Sequence, residues 1–180
     1  MNASLSRWLL SRLERRTPEW VRRLEIQALL DLAARSFGRE GKSVRRLPAE
    51  KALEAYAAYT AACMEKAEAD SECLYQSAYR LGQRLRRVSG FTEDGDLKRL
   101  VFYLYRNIGI TMQGSLPGQL TISACFFSRF YTPEQCRTMS SVDEGIIAGL
   151  LGGGTLQFTE RLTENCGRCS ACFRRGSGNP

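Results

Sequence analysis

The sequence predicts an α+β fold, with a helical N-terminal two-thirds packed on a small antiparallel sheet with one crossing helix. Three observations predict it. Apolar residues recur at three- and four-residue spacing through roughly the first hundred positions, the period of amphipathic helices. Past residue 114 the chain turns to short runs rich in β-branched and aromatic residues, bounded by glycine and proline. Between two such runs, TPEQCRTMSSVDEGIIAGLL restores the helical period.

The elements follow in order. Leu5, Trp8, Leu9 and Leu13 form the expected inward stripe of a first helix. Thr17-Pro18 restarts the pattern, with threonine as N-cap and proline at the first helical position. Val21, Leu24, Ala28 and Leu32 carry that second helix towards Gly38. GREGKSVRR is a polar connection, and Pro48 opens a third helix with Leu53, Tyr56, Thr60, Cys63 and Ala67 on its inner face. A break at ADSE leads to a fourth, carrying Leu74, Ala78, Leu81 and Leu85 and ending near Gly90. TEDGD supplies an acidic start to a fifth, with Leu97, Leu100, Val101, Leu104 and Ile108 inside and Gly109 at its end. GSLPG is turn chemistry before the strand QLTISACFF. TLQFTERL alternates as a half-buried strand, with TENCGR as the turn to a partner strand CSACFRR.

The 180 residues suit one domain, or a domain with a small appendage, and the reading divides them into a basic helical segment over 1–47 and an α+β domain over 48–180. No apolar run approaches the ~18 residues of a membrane span. The Arg-dotted start lacks a cleavage site after an apolar core, so a reducing, cytoplasmic setting is expected. Net charge is +7, and residues 1–48 hold eleven Lys/Arg against five Asp/Glu. That excess fits a solvated, arginine-covered helix face. Nucleic acid is not expected as a partner, because no aromatic stacking pattern accompanies the arginines.

The chain has no histidine and seven cysteines, five of them in its last third. An odd count fits poorly with a complete disulfide framework. Cys166, Cys169 and Cys172 repeat at the spacing of a metal knuckle, and Cys125 or Cys136 can supply a fourth thiolate. Thiolate-only ligation suits zinc or an iron–sulfur cluster, although the C-P of the ferredoxin run is missing. The competing reading leaves Cys172 packed as a small hydrophobe and the other two as surface thiols. In TPEQC, Thr132 caps, Pro133 begins the helix and Gln135 closes a capping box. Cys136 thus falls in the first turn, where the helix dipole is expected to lower its pKa. Asp143, seven residues on, shares roughly its face and is the nearest candidate base. In LQFTERL, alternation allows at most one of Glu160 and Arg161 to face inward; an inward Arg161 would hold a carboxylate. GLLGGG follows a helix rather than preceding one, which removes a phosphate cradle. Cys63 and Cys73 sit in helical patterns as core residues.

The order of these motifs resembles the L-2-amino-thiazoline-4-carboxylic acid hydrolase-like family over residues 120–173. The matching positions are Cys125, Cys136, Asp143, Phe158, Arg161, Cys172 and Phe173. The resemblance implies an α+β fold and hydrolytic opening of a small sulfur heterocycle, while Cys166 and Cys169 depart from the pattern. Two functions are therefore carried forward. One is a metal or iron–sulfur site on Cys125, Cys136, Cys166, Cys169 and Cys172, with a redox, sensing or structural role and a redox partner. The other is a hydrolase acting on a C–N bond of a small molecule through Cys136, Cys125, Asp143 and Arg161.

Overall fold

The computed structural model describes residues 3–41, 43–66 and 70–176. Five helices come first: α1 (Ala3–Arg15), α2 (Glu19–Ser36), α3 (Ala49–Lys66), α4 (Ser71–Ser89) and α5 (Asp94–Asn107). Strands β1 (Ile110–Gly114) and β2 (Gly118–Cys125) follow, then α6 (Pro133–Leu151), β3 (Thr155–Glu160) and β4 (Cys169–Arg174). The sheet is antiparallel throughout, in the order β1-β2-β4-β3. The predicted α+β class is the observed one, with β1 an addition: its five residues lie directly after Gly109, where the helical pattern masks the change of period.

Local chemistry sets the helix ends. Asp70 caps α4 by accepting from the backbone of Glu72 and Cys73. Thr132 and Gln135 complete the expected capping box on α6, and Gly152 ends that helix in the left-handed conformation. Thr17 differs from expectation. Its hydroxyl donates back to the Leu13 carbonyl and to Asn107 Oδ1, and Pro18 takes the cap position of α2.

One core runs from Leu10 on α1 to Phe173 on β4, so the basic segment over 1–47 packs into the same core as the residues after it. α6 lies along α4 and covers one face of the sheet. The two helices approach backbone to backbone at Gly82, Gly145 and Gly149, where an added Cβ would come 2.3, 2.5 and 2.2 Å from a carbonyl oxygen of the other helix. From α3, Leu53, Tyr56, Thr60 and Cys63 are buried as expected, whereas Ala67 lies outside the described residues.

Three of the four residues in the expected stripe of α1 face the other way. Leu5, Trp8 and Leu9 are exposed, and the helix packs through Ser6, Leu10 and the partly buried Leu13. Both stripes have helical spacing; α5 selects the second, because Arg7 reaches Asp96 and Arg99 reaches Glu14 across that contact. On the outward side, the Arg12 guanidinium stacks over the Trp8 ring. Among the described residues, no helix is long and apolar enough to cross a membrane.

Candidate functional site

Leu120 and Ile122 on β2, Leu156 on β3, and Cys169, Ala171 and Phe173 on β4 make the inner face of the sheet. Strand alternation therefore sends Ser170 and Cys172 to the other face, where Cys172 stands opposite Gln119 and Gln157. Cys166 stays in the turn before β4, its sulfur 3.9 Å from the Glu164 carbonyl oxygen. The run Cys166, Cys169, Cys172 thus places its members on a turn, an inner face and an outer face, where they do not converge. A knuckle needs a turn at both intervals, and here the second interval is strand. Among the described residues no three Cys, Asp or Glu side chains are grouped to hold a metal ion.

Two β-bulges re-aim the side chains that do converge. Ile122 pairs with Met112 and Ala124 with Thr111, leaving Ser123 unpaired. The extra residue rotates the end of β2 so that Cys125 stands with the buried Ile110. On β3, Phe158 pairs with the inward Ala171 and Glu160 with the outward Ser170, so Thr159 is the bulged residue. Simple alternation would have put Glu160 with Phe158; the bulge exchanges them. Glu160 bonds Arg168 and Ser170 outside, and these two hold its carboxyl below the usual range, Ser170 first. Arg161 turns in, its guanidinium 4.5 Å from the Phe158 ring centre.

Asp143 on α6 is the centre of the cluster. The Tyr105 hydroxyl donates to its Oδ1 at 2.9 Å. Burial pushes the Asp143 carboxyl up to about 6, against the downward pull of the Tyr105 hydrogen bond and the Arg161 charge. Cys136 lies two turns before it on the same helix, as expected. The expected lowering of its thiol does not occur: burial pushes it up, and this outweighs the nearby Arg161 and Thr163. The Thr163 hydroxyl sits against Cys136 outside hydrogen-bond geometry and is buried without another partner among the described residues. Burial also pushes the Cys125 thiol up to about 12, although the N–H groups of Phe127 and Ser128 draw it down. Cys169 is raised by burial too, with the Leu162 N–H donating to its sulfur at 3.3 Å. Charges on Cys125, Cys136, Cys169, Asp143 and Arg161 thus act on one another across a small region.

Cys125, Cys136 and Asp143 all line a cavity of about 350 Å³. Its wall is mostly aliphatic and aromatic, from Val21, Leu24 and Ala28 on α2, Leu81 and Leu85 on α4, and Met139 and Ile146 on α6. Tyr56, Phe127 and Tyr131 close one side as a ring stack, with Phe127 edge-on to Tyr56 and parallel to Tyr131. The Tyr131 hydroxyl is held 2.6 Å from Thr60 Oγ1. Such an enclosure of apolar surface with a few convergent polar groups suits a small organic molecule.

Several lining residues escaped the sequence reading, namely Glu25, Tyr103 and Tyr105, together with Asn107, the partner of Glu25. The pattern did carry a trace of them. Glu25 interrupts the Val21–Ala28 stripe at helical spacing, and Tyr105 stands between Val101 and Ile108 on the inner face of α5. A polar side chain on an apolar stripe is the signal, although Leu24 of the α2 stripe is itself half exposed. Compared with protein-family models, curated proteins and solved structures, the chain matches none.

Proposed function

We propose that this chain binds a small molecule in the mainly apolar cavity and moves a proton at Asp143, in a hydrolytic reaction at a C–N bond. The observation that carries this reading is a titratable carboxyl, joined to a phenol, on the wall of a mainly apolar cavity. With its pKa about 6, Asp143 is largely ionised at neutral pH yet close enough to neutrality to return the proton. As base it takes a proton from an attacking water; as acid it hands that proton to the leaving nitrogen. Cys125 and Cys136 remain thiols at neutral pH because burial raises both, so they stand as hydrogen-bond donors around the substrate rather than as ready nucleophiles. Arg161 supports the charged form of Asp143. The family resemblance in the motif order supports the same reaction class. Incubation with 2-amino-2-thiazoline and its 4-carboxylate tests it, with mass spectrometry reading the gain of one water. Turnover that disappears in Asp143→Asn is expected; a wild-type protein that opens neither ring removes the hydrolytic step.

A second reading is favoured by one observation: Cys125 and Cys136 each lie near enough to Cys169 for charge on one to act on the other, although as they stand the three are not grouped as a metal set. On this reading the three sulfurs close on zinc or an iron–sulfur cluster, shedding their protons as they do so. Elemental analysis of anaerobically purified protein and absorption near ~400 nm, where thiolate-bound clusters absorb, test it. Stoichiometric zinc or iron supports the reading, and metal-free protein with normal cavity binding ends it.

A further inference from the structure

The cavity wall also carries polar side chains that serve neither Asp143 nor the thiols. Tyr103 and Asn107 stand one turn apart on α5 and share a face, while Tyr105 between them turns towards Asp143. Asn107 is held at three atoms. Its Nδ2 donates to Glu25 Oε2 at 3.0 Å, its Oδ1 accepts from Thr17, and its backbone carbonyl accepts from Arg22. These bonds fix Glu25 against the cavity wall. Tyr103 also lines the cavity, is only 5% exposed, and its hydroxyl has no hydrogen-bond partner among the described residues. Buried polar groups are rarely left so, because the group has given up water for nothing.

We propose that Tyr103 and Glu25 form a hydrogen-bonding pole for a neutral oxygen, a hydroxyl or carbonyl, at one end of an otherwise apolar ligand. The inference rests on the cavity being the ligand site. It supplies what the empty geometry lacks, a partner for the Tyr103 hydroxyl. The neutrality follows from two features. Burial holds the Glu25 carboxyl up to about 8, so at neutral pH it is an uncharged donor. The Arg22 charge beside it opposes an ammonium group in the same place.

Calorimetric titration with 4-propylphenol and propylbenzene tests the pole, because the two probes differ only in the hydroxyl. The wild-type protein is expected to bind the phenol about tenfold more tightly, the worth of one added hydrogen bond. Tyr103→Phe should lose most of that preference while binding propylbenzene as before, which also shows that the variant is folded. Glu25→Gln should keep the preference, since the amide still donates. Equal affinity of the wild type for both probes overturns the pole and leaves the cavity as a ligand site. Tighter binding of 4-propylbenzylammonium than of the phenol overturns it in favour of a cation site. If neither neutral probe binds, the pole falls together with the cavity reading.

Discussion

The Tyr105 hydroxyl donates to Asp143 Oδ1 at 2.9 Å, across the contact between α5 and α6. A phenol donating to a carboxylate favours the charged form, so this bond holds down a group that burial raises. Tyr105→Phe leaves burial opposed only by Arg161. The Asp143 midpoint should then rise above about 6, read from its carboxyl carbon by NMR across a pH titration. A midpoint that stays in place would mean the bond is not made in solution.

Asp143 also ties stability to pH. Its folded pKa of about 6 lies above the ordinary 3.8, so the folded state holds the proton more tightly than the unfolded chain does. That contribution is complete below about pH 4 and is lost as pH rises through about 6. Beside the Arg161 charge, the groups facing it are Tyr105, Tyr56, Tyr131 and the Cys125, Cys136 and Cys169 thiols, which burial pushes up and keeps uncharged in that window. Asp143→Asn should therefore lessen the decline and gain up to about 3 kcal/mol on wild type at pH 7, by urea unfolding.

Glu25 repeats the effect over a wider range. Burial is the main cause of its rise from 4.5 to about 8, partly offset by Asn107 and Arg22. Wild-type stability should fall as pH climbs from about 4.5 to 8, while Glu25→Gln removes that component. The difference in urea midpoint between the two proteins should widen steadily over the window. A constant difference would place Glu25 in contact with water.

Much of this arrangement was legible in the sequence, and what was not has particular causes. Thr132, Pro133 and Gln135 announced the start of α6, because capping is local chemistry. Cys136 and Asp143 were expected on one face, because helical period is local geometry. The facing of α1 was not legible: Leu5, Trp8 and Leu9 compete with Ser6 and Leu10, Leu13 sitting inward with the latter, and a contact some 90 residues away decides between them. Nor were the bulges at Ser123 and Thr159, which turn Cys125 and Arg161 inward and leave Glu160 outside. Each depends on the partner strand's register. The regular spacing of Cys166, Cys169 and Cys172 misled for the related reason that three residues mean one side on a turn and opposite sides on a strand.

The thiols should separate by reactivity. With a pKa near 12, Cys125 carries about one thiolate in ten thousand at pH 8. Cys63 and Cys169 are buried, at 3% and 7% exposure, whereas Cys166 sits in a surface turn. Iodoacetamide at pH 8, mapped by peptide mass spectrometry, should label Cys166 well before Cys125, Cys63 or Cys169. In urea the order should vanish. Rapid labelling of Cys125 in the folded protein would remove the burial that the proton-transfer site relies on.

The crossing of α4 and α6 positions Asp143, and its tolerance can be measured with single methyl groups. Gly149 lies where a Cβ would sit 2.2 Å from the Tyr79 carbonyl oxygen and 2.9 Å from the Gln83 nitrogen. Both are backbone atoms of α4, so no side-chain rotation relieves the clash; the helices must part. Gly149→Ala should cost about 1–3 kcal/mol by overpacking, and more if α6 lifts from the sheet. Gly95, in the first turn of α5, has nothing within 4 Å of its Cβ position and no unusual φ. Gly95→Ala should be neutral or gain about 0.5 kcal/mol, through the lower entropy of the unfolded chain. Because Gly149 precedes the end of α6 and Asp143 lies on the same helix, parting the helices also widens the cavity. Gly149→Ala should thus weaken propylbenzene binding as well as stability. Equal stability of the two alanine variants would show that α4 and α6 do not meet this closely.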